Sequence, residues 1–259
     1  MSEIDRPTTS ETIETLANRV SVRAFTDEPV TDGQVDAVLK AAFRAPTSSN
    51  IQSYSVVVVR EPDTLAKLAV VTAGQKHVAN APVFLAFCAD LTRIDTAVTS
   101  KGGNIERNNL ETGLVSSVDA ALVGMSAYLA ADSIGLKGVM IGAVRNNAVA
   151  TAEILGLPRR VYCVFGMVLG WPEEERIPAQ KPRMAYEAMT HYEQYGRTRE
   201  GDAVDPAVAA YDKALAAHFE ARGMATAPDS WTADAAKKFM PEPRQNLRQE
   251  LAALGFDFL

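Results

Sequence analysis

Four short apolar runs, each flanked by turn formers, constrain this chain more than any other feature. They cover residues 53–60, with four consecutive valines at Val56 to Val59, then 82–89, 138–141 and 161–169. Such runs lack the alternation of a half-solvated strand, so they read as strands buried on both faces. Between the second and third lies a longer apolar stretch, 114–136, rich in Ala, Gly and Ser. Ser116, Ser117, Asp119, Ser126, Asp132 and Ser133 interrupt it, which argues against a lipid-spanning helix. Its small residues let another backbone approach closely, so it is expected to be the central packing helix and a candidate subunit contact. Helical periodicity also marks 10–19, 31–44, 62–71, 206–222, 230–239 and 243–254. In the second of these Thr31 is the expected cap, with Val35, Val38, Leu39, Ala42 and Phe43 on one face. The last third has no strand pattern and reads as a helical excursion. At 259 residues the chain falls within the single-domain range.

The formal net charge of −6 argues against nucleic acid as a partner, because phosphate-backbone binding needs a broad basic field. Two local basic clusters survive that argument. Arg19-Val20-Ser21-Val22-Arg23 places two guanidinium forks and a hydroxyl at i, i+2 and i+4, on one side of an extended backbone. Lys181-Pro182-Arg183 is the second cluster. Guanidinium matches phosphate oxygens in bidentate fashion, so each cluster suits one phosphate of a small ligand. Cys88 and Cys163 sit inside apolar runs and are expected as buried, reduced thiols. Neither has a CxxC partner or a histidine at metal spacing, so no metal is expected. The first 14 residues are polar and acidic, without the apolar core of a signal peptide, and a cytoplasmic protein with no membrane partner is expected.

Three further segments carry polar chemistry. Ala45-Pro46-Thr47-Ser48-Ser49-Asn50-Ile51-Gln52 is either a capped loop or a hydroxyl- and amide-rich cradle for a ligand with many hydrogen-bonding groups. In Gly74-Gln75-Lys76-His77, the last two residues are either ligand contacts or ordinary loop residues. Ile141-Gly142-Ala143-Val144-Arg145-Asn146-Asn147 follows an apolar strand, where a glycine would let backbone amides face a ligand.

In this order, and with Asp27-Glu28-Pro29 and Phe165 to Pro172, these segments resemble the nitroreductase/flavin reductase superfamily. The likeness is nearest to its branch of oxygen-insensitive NADPH nitroreductases and NADPH-flavin oxidoreductases, and runs over residues 15 to about 185, with similarity through Trp231. The resemblance implies an α+β fold with a central mixed, largely antiparallel sheet flanked by helices. It implies one domain over 1–259 with a helical excursion at about 200–240, and an intertwined homodimer with FMN at the subunit interface. By position, Arg19, Ser21, Arg23, Lys181 and Arg183 would hold the FMN phosphate. Thr47, Ser48, Ser49, Asn50 and Gln52 would meet the ribityl chain or ring edge. Gln75, Lys76 and His77 would contact the pyrimidine side, with Lys76 near N1/C2=O. Ile141, Gly142 and Ala143 would pack near the dimethylbenzene and N5 face. Arg222 would bind the 2′-phosphate of NADPH, although the later basic positions of that branch are Ala227 and Pro228 here. Asn50 stands where relatives carry a bulkier apolar residue.

The implied activity is two-electron, ping-pong reduction of nitroaromatics, quinones or similar electron-poor acceptors by NADPH or NADH. Hydride passes through FMN N5, with no catalytic side chain and no metal. A flavin reductase supplying reduced flavin is the alternative within the same chemistry. A non-catalytic flavin-binding protein is the alternative outside it.

Overall fold

Each apolar run of the sequence is a strand of one antiparallel sheet, and helices cover both of its faces. The computed structural model describes residues 8–105, 110–228 and 230–258. The chain divides into two compact units, Met1–Pro178 with Arg244–Leu259, and Ala179–Pro243. The larger unit contains α1 (Glu11–Asn18), α2 (Asp32–Ala42), β1 (Tyr54–Val59), α3 (Pro62–Val71), α4 (Lys76–Ala79), β2 (Val83–Asp90), α5 (Thr92–Thr99), α6 (Leu110–Ser133), β3 (Lys137–Ile141), α7 (Ala148–Leu155) and β4 (Val161–Gly170). The smaller unit contains α8 (Tyr186–Met189), α9 (Val208–Glu220) and α10 (Ser230–Phe239), and α11 (Leu247–Ala253) belongs to the larger one again.

Strand order is β1-β2-β4-β3, with every pairing antiparallel. All eight residues of β2 are buried. Val83, Leu85 and Phe87 point into a core shared with α2 and α6, while Phe84, Ala86 and Cys88 pack with Leu65 and Leu68 of α3. That two-sided burial explains why the run shows no alternation in sequence. Thr31 caps α2 as expected. Its hydroxyl accepts from Gln34 N at 3.3 Å and Gln34 Oε1 accepts from Thr31 N at 2.8 Å, a reciprocal capping box. Helices α4, α5, α7 and α8 were not expected. None exceeds eight residues, too short for apolar periodicity to stand out.

By length and composition α6 could cross a membrane. In this fold one side of it packs on the sheet and α2, burying Ser116, Asp119, Ala120, Val123, Gly124, Ala127 and Ala131. Its small residues are needed there. A Cβ on Gly124 would lie 2.3 Å from the Phe165 ring, which stacks on Phe87 at 5.2 Å between centroids. The serines that interrupt the apolar stretch bond to carbonyls of the preceding turn, as Ser116 Oγ does to Thr112 O at 3.0 Å. The other side of α6 is open. Leu110, Leu114, Val118 and Leu122 recur every fourth residue and are 56%, 51%, 47% and 38% exposed.

Cys88 and Cys163 are free and buried, as expected, and stand directly opposite each other on β2 and β4. A hydrogen bond with Cys163, followed by burial, pushes the Cys88 thiol well above its usual range.

At the outer edge, Gly138 of β3 packs so closely on β4 that a Cβ would meet the Val168 carbonyl oxygen at 2.2 Å. Its own carbonyl accepts from Val22 N at 3.0 Å. Gly138→Ala should therefore lower unfolding free energy by about 2–3 kcal/mol in urea denaturation, through overpacking against a backbone that cannot yield. A loss below about 0.5 kcal/mol would contradict this contact.

Candidate functional site

The basic segment at residues 19–25 runs extended along the β3 edge and past the end of β4. Val22 is fully buried, Ala24 O accepts from Glu173 N at 3.2 Å, and Thr26 N donates to Trp171 O at 2.9 Å. With Val22 turned inward, Arg19, Ser21 and Arg23 fall on the other side, as period-two spacing requires. Arg19 Nη1 lies 3.5 Å from Ser21 Oγ, and its guanidinium is 5.4 Å from the Tyr128 ring centroid. Burial raises the Tyr128 phenol, against the pull of Arg19. Its hydroxyl donates to Val20 O at 2.6 Å, tying the strip to α6.

Next to this strip, α3 ends in the left-handed residues Ala73 and Gly74, with φ of 65° and 73°, and the chain turns into α4. Gln75 and His77 are half-buried and Lys76 is exposed. His77 Nε2 is buried with no hydrogen-bond partner among the described residues. Burial, and then the Arg23 charge, hold the imidazole below its ordinary range. A buried polar nitrogen without a partner among the described residues, set beside a guanidinium, is what a phosphate- or carbonyl-bearing ligand would complete.

The loop 45–53 is built differently. Ser48, Ser49, Asn50 and Gln52 are exposed and Thr47 is half-buried. Ser49, Asn50 and Gln52 adopt φ of 48°, 58° and 57°, a left-handed region that costs non-glycine residues energy and needs external support. Asp119, buried on α6, provides it. Its carboxylate accepts from Ser48 N at 3.0 Å, Ser53 N at 3.1 Å and Ser53 Oγ at 2.8 Å. Gln52 turns inward on the loop, donating to Asn50 O at 3.1 Å, so its amide is partly spent. Beyond the loop, Arg93 bonds Gln52 O at 3.0 Å and pairs with Asp90 at 3.1 Å. Burial would raise Asp90, but hydrogen bonds from Ser55 and Thr92 and the charge of Arg93 outweigh it and hold the carboxyl low.

The sheet register sets these groups apart. Loop 45–53 adjoins the C-terminal end of β2, where Asp90 N donates to Ser53 O. The Arg23 strip and α4 adjoin its N-terminal end, where Pro82 and Phe25 both press on Gly170. Eight strand residues span on the order of 25 Å. One chain therefore brings Arg19, Ser21, Arg23 and His77 to one end and Thr47, Ser48, Ser49 and Asn50 to the other.

Ile141 is buried, with Gly142 and Ala143 half-buried where β3 passes into a 3-10 turn. A Cβ on Gly142 would meet Arg145 only at 3.6 Å, so space does not demand glycine there. Its carbonyl is engaged instead, accepting from Arg244 Nη2 at 3.2 Å, while Arg244 Nε bonds Asn146 Oδ1 at 3.1 Å. Burial and the Arg244 charge lower the neighbouring Arg145. Arg244 escaped the sequence reading because it lies about a hundred residues from its partners, outside any local motif.

In the smaller unit, Tyr211 OH donates to Pro182 O at 3.2 Å and pins the Lys181-Pro182-Arg183 segment to α9. Lys181 Nζ lies 5.1 Å from the Phe219 ring centroid. Arg222 Nη1 donates to His218 O, and burial followed by the charges of Arg222 and Lys181 hold the His218 imidazole below its ordinary range. Lys181 and Arg222, expected on two different phosphates, thus share the end of α9 with His218, a residue the sequence reading did not single out. Arg183 is exposed and donates to the adjacent carbonyl, Pro182 O, at 3.3 Å. Among the described residues no group of three or more His, Cys, Asp or Glu could hold a metal ion.

Comparison with known proteins matches residues 16–171 to the nitroreductase family and residues 181–259 to the nitroreductase family C-terminal domain. An oxygen-insensitive NADPH nitroreductase of Salmonella typhimurium is 37% identical over 248 residues, covering 95% of this chain and 98% of that protein. An FMN reductase [NAD(P)H] of Bacillus subtilis is 34% identical over 249 residues, covering 95% and 98%. A solved nitroreductase structure from B. subtilis superposes with a TM-score of 0.88 at 31% identity, covering 95% of this chain and 99% of that one.

Asp119→Ala leaves two backbone amides and a hydroxyl without their acceptor. It should cost roughly 3 kcal/mol of stability in urea denaturation and expose loop 45–53 to proteolysis. Unchanged stability and unchanged cleavage would show that the loop holds its left-handed residues without the carboxylate.

Proposed function

The chain belongs to the nitroreductase family, and on that footing we propose an FMN-dependent NAD(P)H oxidoreductase that acts as a cytoplasmic homodimer. The observation that carries this reading is the end-to-end likeness to proteins named NADPH nitroreductase and FMN reductase. The residues fit the cofactor. Arg19, Ser21 and Arg23 offer donors to a phosphate from one side of the strip, and His77 Nε2, buried beside Arg23, has no hydrogen-bond partner among the described residues. Bound FMN would supply the redox chemistry, accepting hydride from a reduced nicotinamide and passing two electrons to the acceptor. The protein's task is then to bind, orient and tune. Lys76 sets a positive charge by the pyrimidine edge, Ile141 and Ala143 offer apolar surface to the ring, and Lys181, Arg183 and Arg222 supply cations for phosphate groups.

The sheet supports the second copy. One flavin cannot be met from both ends of β2 in a single chain, so we assign the Thr47–Asn50 loop to the flavin held by Arg23 and His77 of the other copy. The open stripe of Leu110, Leu114, Val118 and Leu122 on α6 supplies an apolar surface for that pairing. Two free buried thiols suit a reducing compartment. Flat, electron-poor nitroaromatics and quinones are the proposed acceptors. The FMN reductase among the relatives favours a second reading, in which free FMN is itself reduced and released.

The purified protein should be yellow and should bleach on anaerobic titration with one equivalent of NADPH per flavin. A yellow protein that NADPH does not bleach would overturn the catalytic reading, and failure to take up FMN would overturn both readings. Arg23→Ala should give a folded protein retaining less than about a tenth of its flavin, the loss of one charge-assisted phosphate contact. Leu122→Glu should shift sedimentation toward monomer and lower flavin content with it. A Leu122→Glu protein that stays dimeric would place the pairing surface elsewhere.

A further inference from the structure

We infer that His218 joins Lys181 and Arg222 in a site for a phosphate monoester on the smaller unit, and that His218 supplies its third, protonatable charge. The inference rests on the oxidoreductase reading above, which brings two such monoesters to the protein, the 5′-phosphate of FMN and the 2′-phosphate of NADPH.

The geometry gathers two cations and a protonatable imidazole at the C-terminal end of α9. Lys181 is held over the Phe219 ring at 5.1 Å, the His218 and Phe219 rings are 5.6 Å apart, and Arg222 folds back to bond His218 O. No carboxylate lies within ion-pair distance of any of the three among the described residues. Charged groups face His218 from two directions, Arg222 beyond its own helix and Lys181 on the segment pinned by Tyr211. The helix packed on α9, α10, places Trp231 against Tyr211 and Thr232 on Asp212, near the opposite end of α9, and adds no charge to His218.

Two uncompensated cations, Lys181 and Arg222, oppose a positive charge on the imidazole between them, and that repulsion adds to burial in holding it low. A dianion at this position would reverse it. The loop after α9 offers Ala227 and Pro228 where a second arginine would otherwise help, so Arg222 alone would hold a 2′-phosphate weakly. His218 replaces that charge conditionally. In the empty site, burial and the two neighbouring cations favour its neutral form. With a phosphate dianion bound it takes up a proton, so affinity rises as pH falls from about 8 to about 6.5. The gain stops near pH 6, where the phosphate loses its own second charge.

The test compares wild type with His218→Gln, neutral at every pH, and His218→Lys, charged at every pH, all as full-length holoenzyme. The kcat/KM ratio of NADPH to NADH is measured from pH 6.5 to 8. Apoprotein is titrated with FMN and, separately, with adenosine 2′,5′-bisphosphate, while the His218 imidazole is followed by NMR. If the 2′-phosphate is the ligand, the wild-type ratio should climb about three- to fivefold toward pH 6.5, the worth of one exposed charge. His218→Gln should flatten it low, His218→Lys should flatten it high, and adenosine 2′,5′-bisphosphate should move the His218 titration upward. If the FMN phosphate is the ligand, the same pH slope appears in FMN affinity and FMN moves the titration. A ratio and an FMN affinity both indifferent to His218, with a titration moved by neither compound, would overturn the inference. Because the NMR readout uses wild-type protein, it stands even if a variant misfolds. Loss of all NADPH oxidation and flavin binding in wild type would instead defeat the reading on which the inference rests.

Discussion

Strand β2 is buried along all eight residues and hydrogen-bonded on both edges, and the rest of the larger unit is arranged around it. Its two faces demand cover, which α6 and α2 supply on one side and α3 on the other. Its length sets the distance between the polar groups at its two ends. The Arg23 strip and His77 lie at one end, and loop 45–53 lies at the other, held by the Asp119 carboxylate from α6. Stability and site therefore rest on the same element. The apolar burial that stabilises β2 also keeps the two polar groups too far apart to serve one ligand from one chain.

Much of this was legible because it is local. The valine run at 56–59 and the apolar stretches at 82–89, 138–141 and 161–169 locate all four strands to within about a residue at each end. Thr31 with Gln34 marks the start of α2 by a rule that spans one helical turn. The period-two spacing of Arg19, Ser21 and Arg23 likewise predicted a shared face, and the buried Val22 between them supplies the reason. What escaped was non-local. Asp119 could be seen only as an interruption in an apolar helix, because its acceptor role depends on Ser48 and Ser53, some seventy positions earlier. Arg244 and His218 stand alone in sequence and acquire meaning only beside Gly142 and Lys181 respectively. The separation of the site into two ends depends on strand register, which no local pattern encodes.

The smaller unit reaches a similar result by other means. Its segment at 181–183 has no regular structure of its own; Tyr211 OH bonds Pro182 O and Lys181 lies over the aromatic face of Phe219. Among the described residues no carboxylate pairs with these cations, so nothing there relieves their mutual repulsion. That arrangement suits groups whose purpose is to meet an anion rather than to support the fold.

The distance between the two ends of β2 also has a genetic meaning. In the proposed pair of chains sharing two flavins, a copy damaged at Arg23 and a copy damaged at Ser49 would lack different halves of the site. When the two associate, both lesions fall on the same flavin and the other flavin keeps both intact halves. Two alleles that are each inactive alone would restore about half of normal activity in the mixed pair, a complementation that a site contained within one chain could never show.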